Sequence, residues 1–169
     1  MKCESCGGEV LETRLDSYHF DESGLEDVVL VGVTERRCEK CHEREVVLPK
    51  LKELHRTIAK ALAAKNSLLT PSEVRFLRKH LGFSQADFAK RINVRPEAVS
   101  RWETGAEEFS WHFELLLRLM VMLELHERNY TVKSFDDVSA KRTAAPVRIF
   151  AEKSAWRPDS SGMLTVTAN

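Results

Sequence analysis

Four cysteines fall into two pairs, Cys3-x-x-Cys6 and Cys38-x-x-Cys41. A Cys-x-x-Cys turn presents two thiolates from one tight knuckle, and two knuckles supply the four soft ligands that tetrahedral Zn²⁺ takes. With sulfur at every position no coordination site stays open for water or substrate, so the expectation is one structural zinc ion rather than a catalytic one. The 31 residues between the knuckles exceed the spacing of short zinc ribbons, yet a hairpin of that length can close the gap. Metal binding would also explain how about 48 residues with few large apolar side chains hold a fold. Two rival chemistries fit less well. A thioredoxin-type redox pair needs a βαβ context that this stretch lacks. Cys38-Glu39-Lys40-Cys41-His42 matches the haem-attachment pattern, but MKCESCGGEV is no export signal and the first cysteine pair would be orphaned. His42 is either a surface residue or a replacement ligand.

The second chemistry is electrostatic. The net charge is zero, which by itself argues against a nucleic-acid partner, but the charges are unevenly placed. Between residues 16 and 27 lie Asp16, Asp21, Glu22, Glu26 and Asp27 with no Lys or Arg. Between residues 70 and 105, seven basic residues (Arg75, Arg78, Lys79, Lys90, Arg91, Arg95, Arg101) outnumber four acidic ones (Glu73, Asp87, Glu97, Glu103). Such asymmetry suggests that one part faces DNA while another faces something basic. No cluster of His with Asp, Glu or Ser offers a nucleophile with its base, so an enzyme is not expected.

The elements that must position these residues follow from local signals. Residues 1–48 contain short β-type runs, notably Val28–Val31 and Glu45–Leu48, with turns at Gly7-Gly8 and Glu22-Ser23-Gly24. Leu51, Leu54, Ile58 and Leu62 recur at helical spacing and predict a connecting helix over 50–65. Thr70-Pro71-Ser72-Glu73 combines an N-cap, a proline at the first helical position and a capping-box glutamate. Ser84 caps a second helix with Asp87 near its positive end. Pro96 opens a third helix that ends before Gly105. Ser110 caps a fourth, running to about Arg128, which is apolar nearly all round and therefore needs burial on two sides, one in the core and the other with a second subunit as the natural candidate. Ser134–Asp137 can start one more short helix. Residues 141–169, rich in Ala, Ser and Thr, read as a partly disordered tail.

In the segment from 70 to 105, Phe88, Ile92, Val94, Val99 and Trp102 are placed to form a small core, with Ala86 and Ala89 allowing close approach. That core would aim the third helix, whose exposed residues are Arg95, Glu97, Ala98, Ser100 and Arg101. Leu77-Arg78, Leu81-Gly82-Phe83-Ser84-Gln85, Phe88-Ala89, Val94 and Val99-Ser100-Arg101-Trp102-Glu103-x-Gly105 together make this stretch resemble the Xre/Cro-type helix-turn-helix family. The resemblance implies that the third helix enters the major groove. Arg101 is then the best base reader, since a guanidinium can bond guanine O6 and N7 together. Glu97 either accepts from a cytosine amine or caps the helix. Ser84 and Gln85 suit phosphate contact, and the remaining basic residues supply salt-dependent attraction.

Cys3-x-x-Cys6-Gly7, Glu22-Ser23-Gly24-Leu25, Cys38-x-x-Cys41 and Leu54-His55-x-x-Ile58-Ala59, joined to this helix-turn-helix, resemble the YgiT/MqsA-like antitoxin family from Met1 to about Arg128. His42 stands where that family usually has Gly. The resemblance implies a type II toxin–antitoxin role, in which the zinc module inhibits a basic RNase-type toxin and a helix-turn-helix homodimer represses its own operon at a palindromic operator. A stand-alone Xre-family regulator with a structural zinc module is the alternative.

The expected fold is therefore mainly α, a small α+β four-cysteine zinc-binding module followed by a helical Xre-type helix-turn-helix domain. The expected organisation is a zinc module at 1–48, a helical linker at 49–69, the helix-turn-helix domain at 70–130 and an extension at 131–169. No apolar run is long enough to cross a membrane, and the N-terminus lacks a signal-peptide core, so a cytoplasmic protein is expected.

Overall fold

Residues 10–38 form one long antiparallel hairpin with a bend in the middle. Strand β1 (Val10–Leu15) pairs with β4 (Val33–Cys38), and β2 (Tyr18–His19) pairs with β3 (Val28–Val31). The register that matches Val10 to Cys38 and Leu15 to Val33 continues without slippage to Tyr18 opposite Leu30 and His19 opposite Val29. At the bend Gly32 adopts φ +78°, a left-handed conformation that glycine takes without a Cβ penalty, and its N–H donates to the Leu15 carbonyl at 2.8 Å. The two ends of the hairpin thereby enter different sheets. The knuckle end gains β5 (Arg44–Val47) on β4, giving the order β1-β4-β5. The tip end buries Phe20, Leu25, Val28 and Leu30. In this computed structural model the described residues are 1–127, 138–142, 147–152 and 155–159.

Five helices follow: α1 (Leu51–Ala64), α2 (Pro71–His80), α3 (Gln85–Arg91), α4 (Pro96–Thr104) and α5 (Trp111–Glu124). Helix α1 buries Leu54, Ile58 and Leu62 as its periodicity predicts, while Leu51, the first residue of that series, stays exposed. It packs against α2 and α5, so the stretch read as a linker is part of the helical body. The capping box expected at Thr70 forms, and Ser84, expected as a simple cap, forms a second one with Asp87. The Glu73 N–H donates to Thr70 Oγ1 and the Thr70 N–H to Glu73 Oε2; Ser84 and Asp87 exchange the same pair of bonds. Ser110 occupies the N-cap position of α5 but makes no side-chain capping bond, and the helix ends at Glu124. It stops short of the expected end near Arg128, residues 125–127 being no longer helical; the short helix expected from Ser134 lies outside the described residues.

The core between α2, α3 and α4 contains the expected Phe88, Ile92, Val99 and Trp102, with Val94 packed at its edge. Ala89 is buried, but Ala86, expected beside it in the core, is exposed. Helix α5 differs most from its pattern. Glu114 and Arg118 are on its buried side, whereas Leu116 and Leu123 point outward. Arg118 donates to the carbonyls of Ala63 (3.0 Å), Lys65 (2.8 Å) and Ser67 (2.6 Å) and to Glu114 Oε1 (2.8 Å), which also accepts from the Leu69 N–H at 3.0 Å. The last carbonyls of a helix have no intrahelical partner; one guanidinium from α5 bonds one of these in α1, that of Ala63, and two more in the segment that follows it, those of Lys65 and Ser67.

The C-terminal extension, read from its composition as a tail, forms strands in its described part. Short β6 (Ser67–Leu68) pairs in parallel with β7 (Ser139–Arg142). Strand β8 (Val147–Ala151) pairs in parallel with β3 and antiparallel with β9 (Trp156–Pro158), completing a sheet of order β2-β3-β8-β9. Ile149 and Trp156 are buried, and the Trp156 indole donates to the Pro49 carbonyl at 2.9 Å. A few apolar residues scattered among Ala, Ser and Thr carry no readable period, so only a partner strand from the far end of the chain defines this segment as β. The fold is mixed, a small α+β N-terminal part with a cysteine cluster and a helical helix-turn-helix part.

Candidate metal centre and nucleic-acid interface

The two knuckles are built alike. In the first, the Gly7 N–H donates to the Cys3 carbonyl and the Cys3 N–H to that of Gly8; in the second, the His42 N–H donates to Cys38 and the Cys38 N–H to Glu43. Both turns require a left-handed residue just after the second cysteine, supplied by Gly7 at φ +69° and by His42 at φ +60°. His42 thus occupies a glycine-type position, exposed to solvent. Gly8 has a different reason. A Cβ there would stand 2.8 Å from Lys40 Cβ and 3.1 Å from Cys38 Sγ, so its bare backbone lets the knuckles approach.

The result is a cluster of Cys3, Cys6, Cys38 and Cys41 whose sulfurs all lie within 4.8 Å of one another. Cys3 and Cys41 are 3.7 Å apart and Cys6 and Cys38 3.4 Å apart. Four metal–sulfur bonds of about 2.3 Å in a tetrahedron place sulfurs about 3.8 Å apart, so this donor set can hold one metal ion. The thiols interact strongly. The Cys41 backbone N–H above all, with that of Lys40 and the thiols of Cys6 and Cys41, brings Cys38 down to about 6 against the opposing effect of burial. At Cys41 the Glu43 N–H acts downward, but the thiols of Cys6, Cys38 and Cys3 together with burial push it up to about 12. Four adjacent sulfurs do not ionise together unless a cation compensates their charge. Glu43 Oε2 lies 3.7 Å from Cys3 Sγ, a neighbour that the spacing of the cysteines does not reveal.

The second candidate site is the surface of α3 and α4. Arg95 is the N-cap residue of α4 and Pro96 its first residue, and Arg95, Glu97 and Arg101 are exposed while Ser100 is half-buried. Ser84 and Gln85 begin α3 with their side chains engaged. Ser84 Oγ donates to Asp87 Oδ2 at 2.6 Å, and Gln85 Nε2 donates to Glu103 Oε2 at 2.9 Å. The Ser84 hydroxyl and N–H hold the Asp87 carboxyl below its usual range.

Two of the basic residues read as an attractive surface are used internally. Arg78 is buried, donating from Nε and Nη2 to the Glu103 carboxylate and from Nη1 to the Phe83 carbonyl. Arg75 is exposed but lies 3.7 Å from the same carboxylate and donates to the Glu103 carbonyl at 3.2 Å. Glu103, with a side chain 0% exposed, thus ties α2, α3 and α4 together and fixes the orientation of the helix that carries Arg101. A glutamate within a charged helix gives no sign in sequence that it will be buried. Lys79, Lys90, Arg91 and Arg95 remain on the surface.

Residues 74–110 match the helix-turn-helix family model, which supports a DNA-binding transcription regulator of the Xre type. No curated protein and no solved structure matches the chain. Among the described residues no helix is long and apolar enough to cross a membrane.

Proposed function

We propose that this chain is a sequence-specific, cytoplasmic DNA-binding repressor that serves as the antitoxin of a type II toxin–antitoxin pair. The observation that carries the reading is the presence, in one chain, of a four-sulfur cluster and a helix-turn-helix whose α4 exposes Arg101. The metal is one structural Zn²⁺ bound by Cys3, Cys6, Cys38 and Cys41; it supplies a cross-link between the knuckles and no reaction. On double-stranded DNA, Arg101 reads a guanine, Glu97 and Ser100 face neighbouring bases, and Arg95 and the N-terminus of α3 at Ser84 and Gln85 meet phosphates. Two copies joined through α5 read a palindrome. The zinc module, about residues 1–48, binds a small basic toxin, with the exposed Asp16, Asp21, Glu22 and Glu26 complementing its charge.

One observation favours the alternative, a stand-alone regulator whose metal module is purely structural. The hairpin tip belongs to the same hydrophobic core as α1, and β8 covers the open edge of β3, so the module is built into the helical body.

The deciding experiment captures the tagged full-length chain from native cells after nuclease treatment and identifies what remains bound. The same preparation is assayed for retardation of its own promoter DNA. A single small basic protein together with promoter binding supports the antitoxin. Promoter binding without a protein partner supports the stand-alone regulator, and absence of both refutes the two readings together.

A further inference from the structure

The turn that follows α4 supplies an acidic partner for Arg101, the residue read above as the base reader. After Thr104 the chain turns at Gly105, which adopts φ +76°, and folds back so that the N–H groups of Ala106 and Glu107 donate to the Arg101 carbonyl at 2.9 and 3.3 Å. That return places Glu107 Oε2 2.6 Å from Arg101 Nε. Glu97, four residues before Arg101 and correctly spaced for a pair along the helix, is not the partner. The bond is made at Nε, and the two terminal nitrogens make no other hydrogen bond among the described residues. Those two nitrogens form the fork that reaches guanine O6 and N7 together.

We propose that Glu107 is a specificity-determining positioning residue, which anchors Arg101 through Nε so that its terminal nitrogens approach one guanine end-on. This rests on the reading of Arg101 as a base reader. An anchored guanidinium samples fewer rotamers before binding, so less order is lost when the fork engages. The same carboxylate lies beside the DNA face, where its negative charge opposes phosphate binding at every sequence alike. The first effect raises discrimination at one base pair, and the second lowers affinity for DNA in general.

The test uses the full-length chain and a duplex selected by it from a random pool, with every single-base-pair variant of that duplex and a scrambled duplex. Arg101→Ala identifies the base pair that Arg101 reads, as the position where discrimination drops. Glu107→Ala is expected to bind the scrambled duplex more tightly than wild type, and to lose about five- to tenfold of the discrimination at that same base pair, leaving other positions unchanged. Glu107→Asp, which keeps the carboxylate, is expected to restore part of it. In the Arg101→Ala background, Glu107→Ala should change discrimination no further. Full discrimination in Glu107→Ala with a uniform gain in affinity would show a plain charge effect and overturn the proposal. If Arg101→Ala alters discrimination nowhere, the reading of Arg101 itself fails and Glu107 falls with it.

Discussion

At the scale of single residues, the side chains with the largest consequences are charged ones removed from solvent. Glu103 accepts from Arg78 and Gln85 and lies beside Arg75, so one carboxylate orients three helices. A buried ion pair gains little over apolar packing, but removing one partner strands the other charge. Glu103→Ala should therefore destabilise the protein by about 3–5 kcal/mol, read as a lower urea midpoint, because Arg78 is left buried without a counter-ion. A loss below about 1 kcal/mol, the range of exposed pairs, would mean that water reaches Arg78. His42 illustrates a smaller effect. It holds the left-handed conformation that Gly7 holds in the other knuckle, a conformation that disfavours a side chain by about 1–2 kcal/mol.

At the scale of elements, α5 has two unlike faces. One carries Leu117, Val121 and Met122 into the core together with the Glu114–Arg118 pair. The other exposes Leu123 at 75% and Leu116 at 39%, seven residues apart and therefore on one side of the helix. Burying a leucine is worth about 1.5–3 kcal/mol, so an interface between two copies of α5 should depend on Leu123. Leu123→Lys is expected to raise the dimer dissociation constant by about 10- to 100-fold in sedimentation-equilibrium measurements, with the monomer's helical content unchanged. A wild-type chain that sediments as a monomer at micromolar concentration would remove α5 as the dimer element, and with it the proposed palindrome, whose half-sites such a dimer would read about 34 Å apart.

At the scale of the whole molecule, the proposed metal and the apolar core would stabilise different parts of the hairpin. The knuckle end, β1-β4-β5, exposes most of β1 and has the sulfur cluster at its tip. The tip end is held by Phe20, Leu25, Leu30 and Ile149 packed toward α1, and by His55, which stacks on Phe20 and meets the edge of Phe76 in α2. Removal of the metal by a chelator should therefore abolish amide-exchange protection in 10–15, 33–38 and 44–47. Protection in β3, β8 and α1–α4 should persist, because their stability comes from buried apolar contacts. Simultaneous loss throughout would mean that metal and core form one cooperative unit.

Much of this architecture is local in origin and was legible in the chain itself. The cysteine pairs, the capping box at Thr70, the cap at Ser84 and Pro96 at the start of α4 each depend on neighbours within a few residues. Spacing alone therefore specifies them. The tertiary structure decided what depends on distant partners. Arg118 is buried where the carbonyls of Ala63, Lys65 and Ser67 receive it, and Arg78 is withdrawn from the surface because Glu103 receives it. The extension forms strands because β3 offers a free edge and the Pro49 carbonyl accepts from Trp156. A charge or an apolar residue has the same local signature whether its partner is water or a group from the far end of the chain, and only folding determines which it meets.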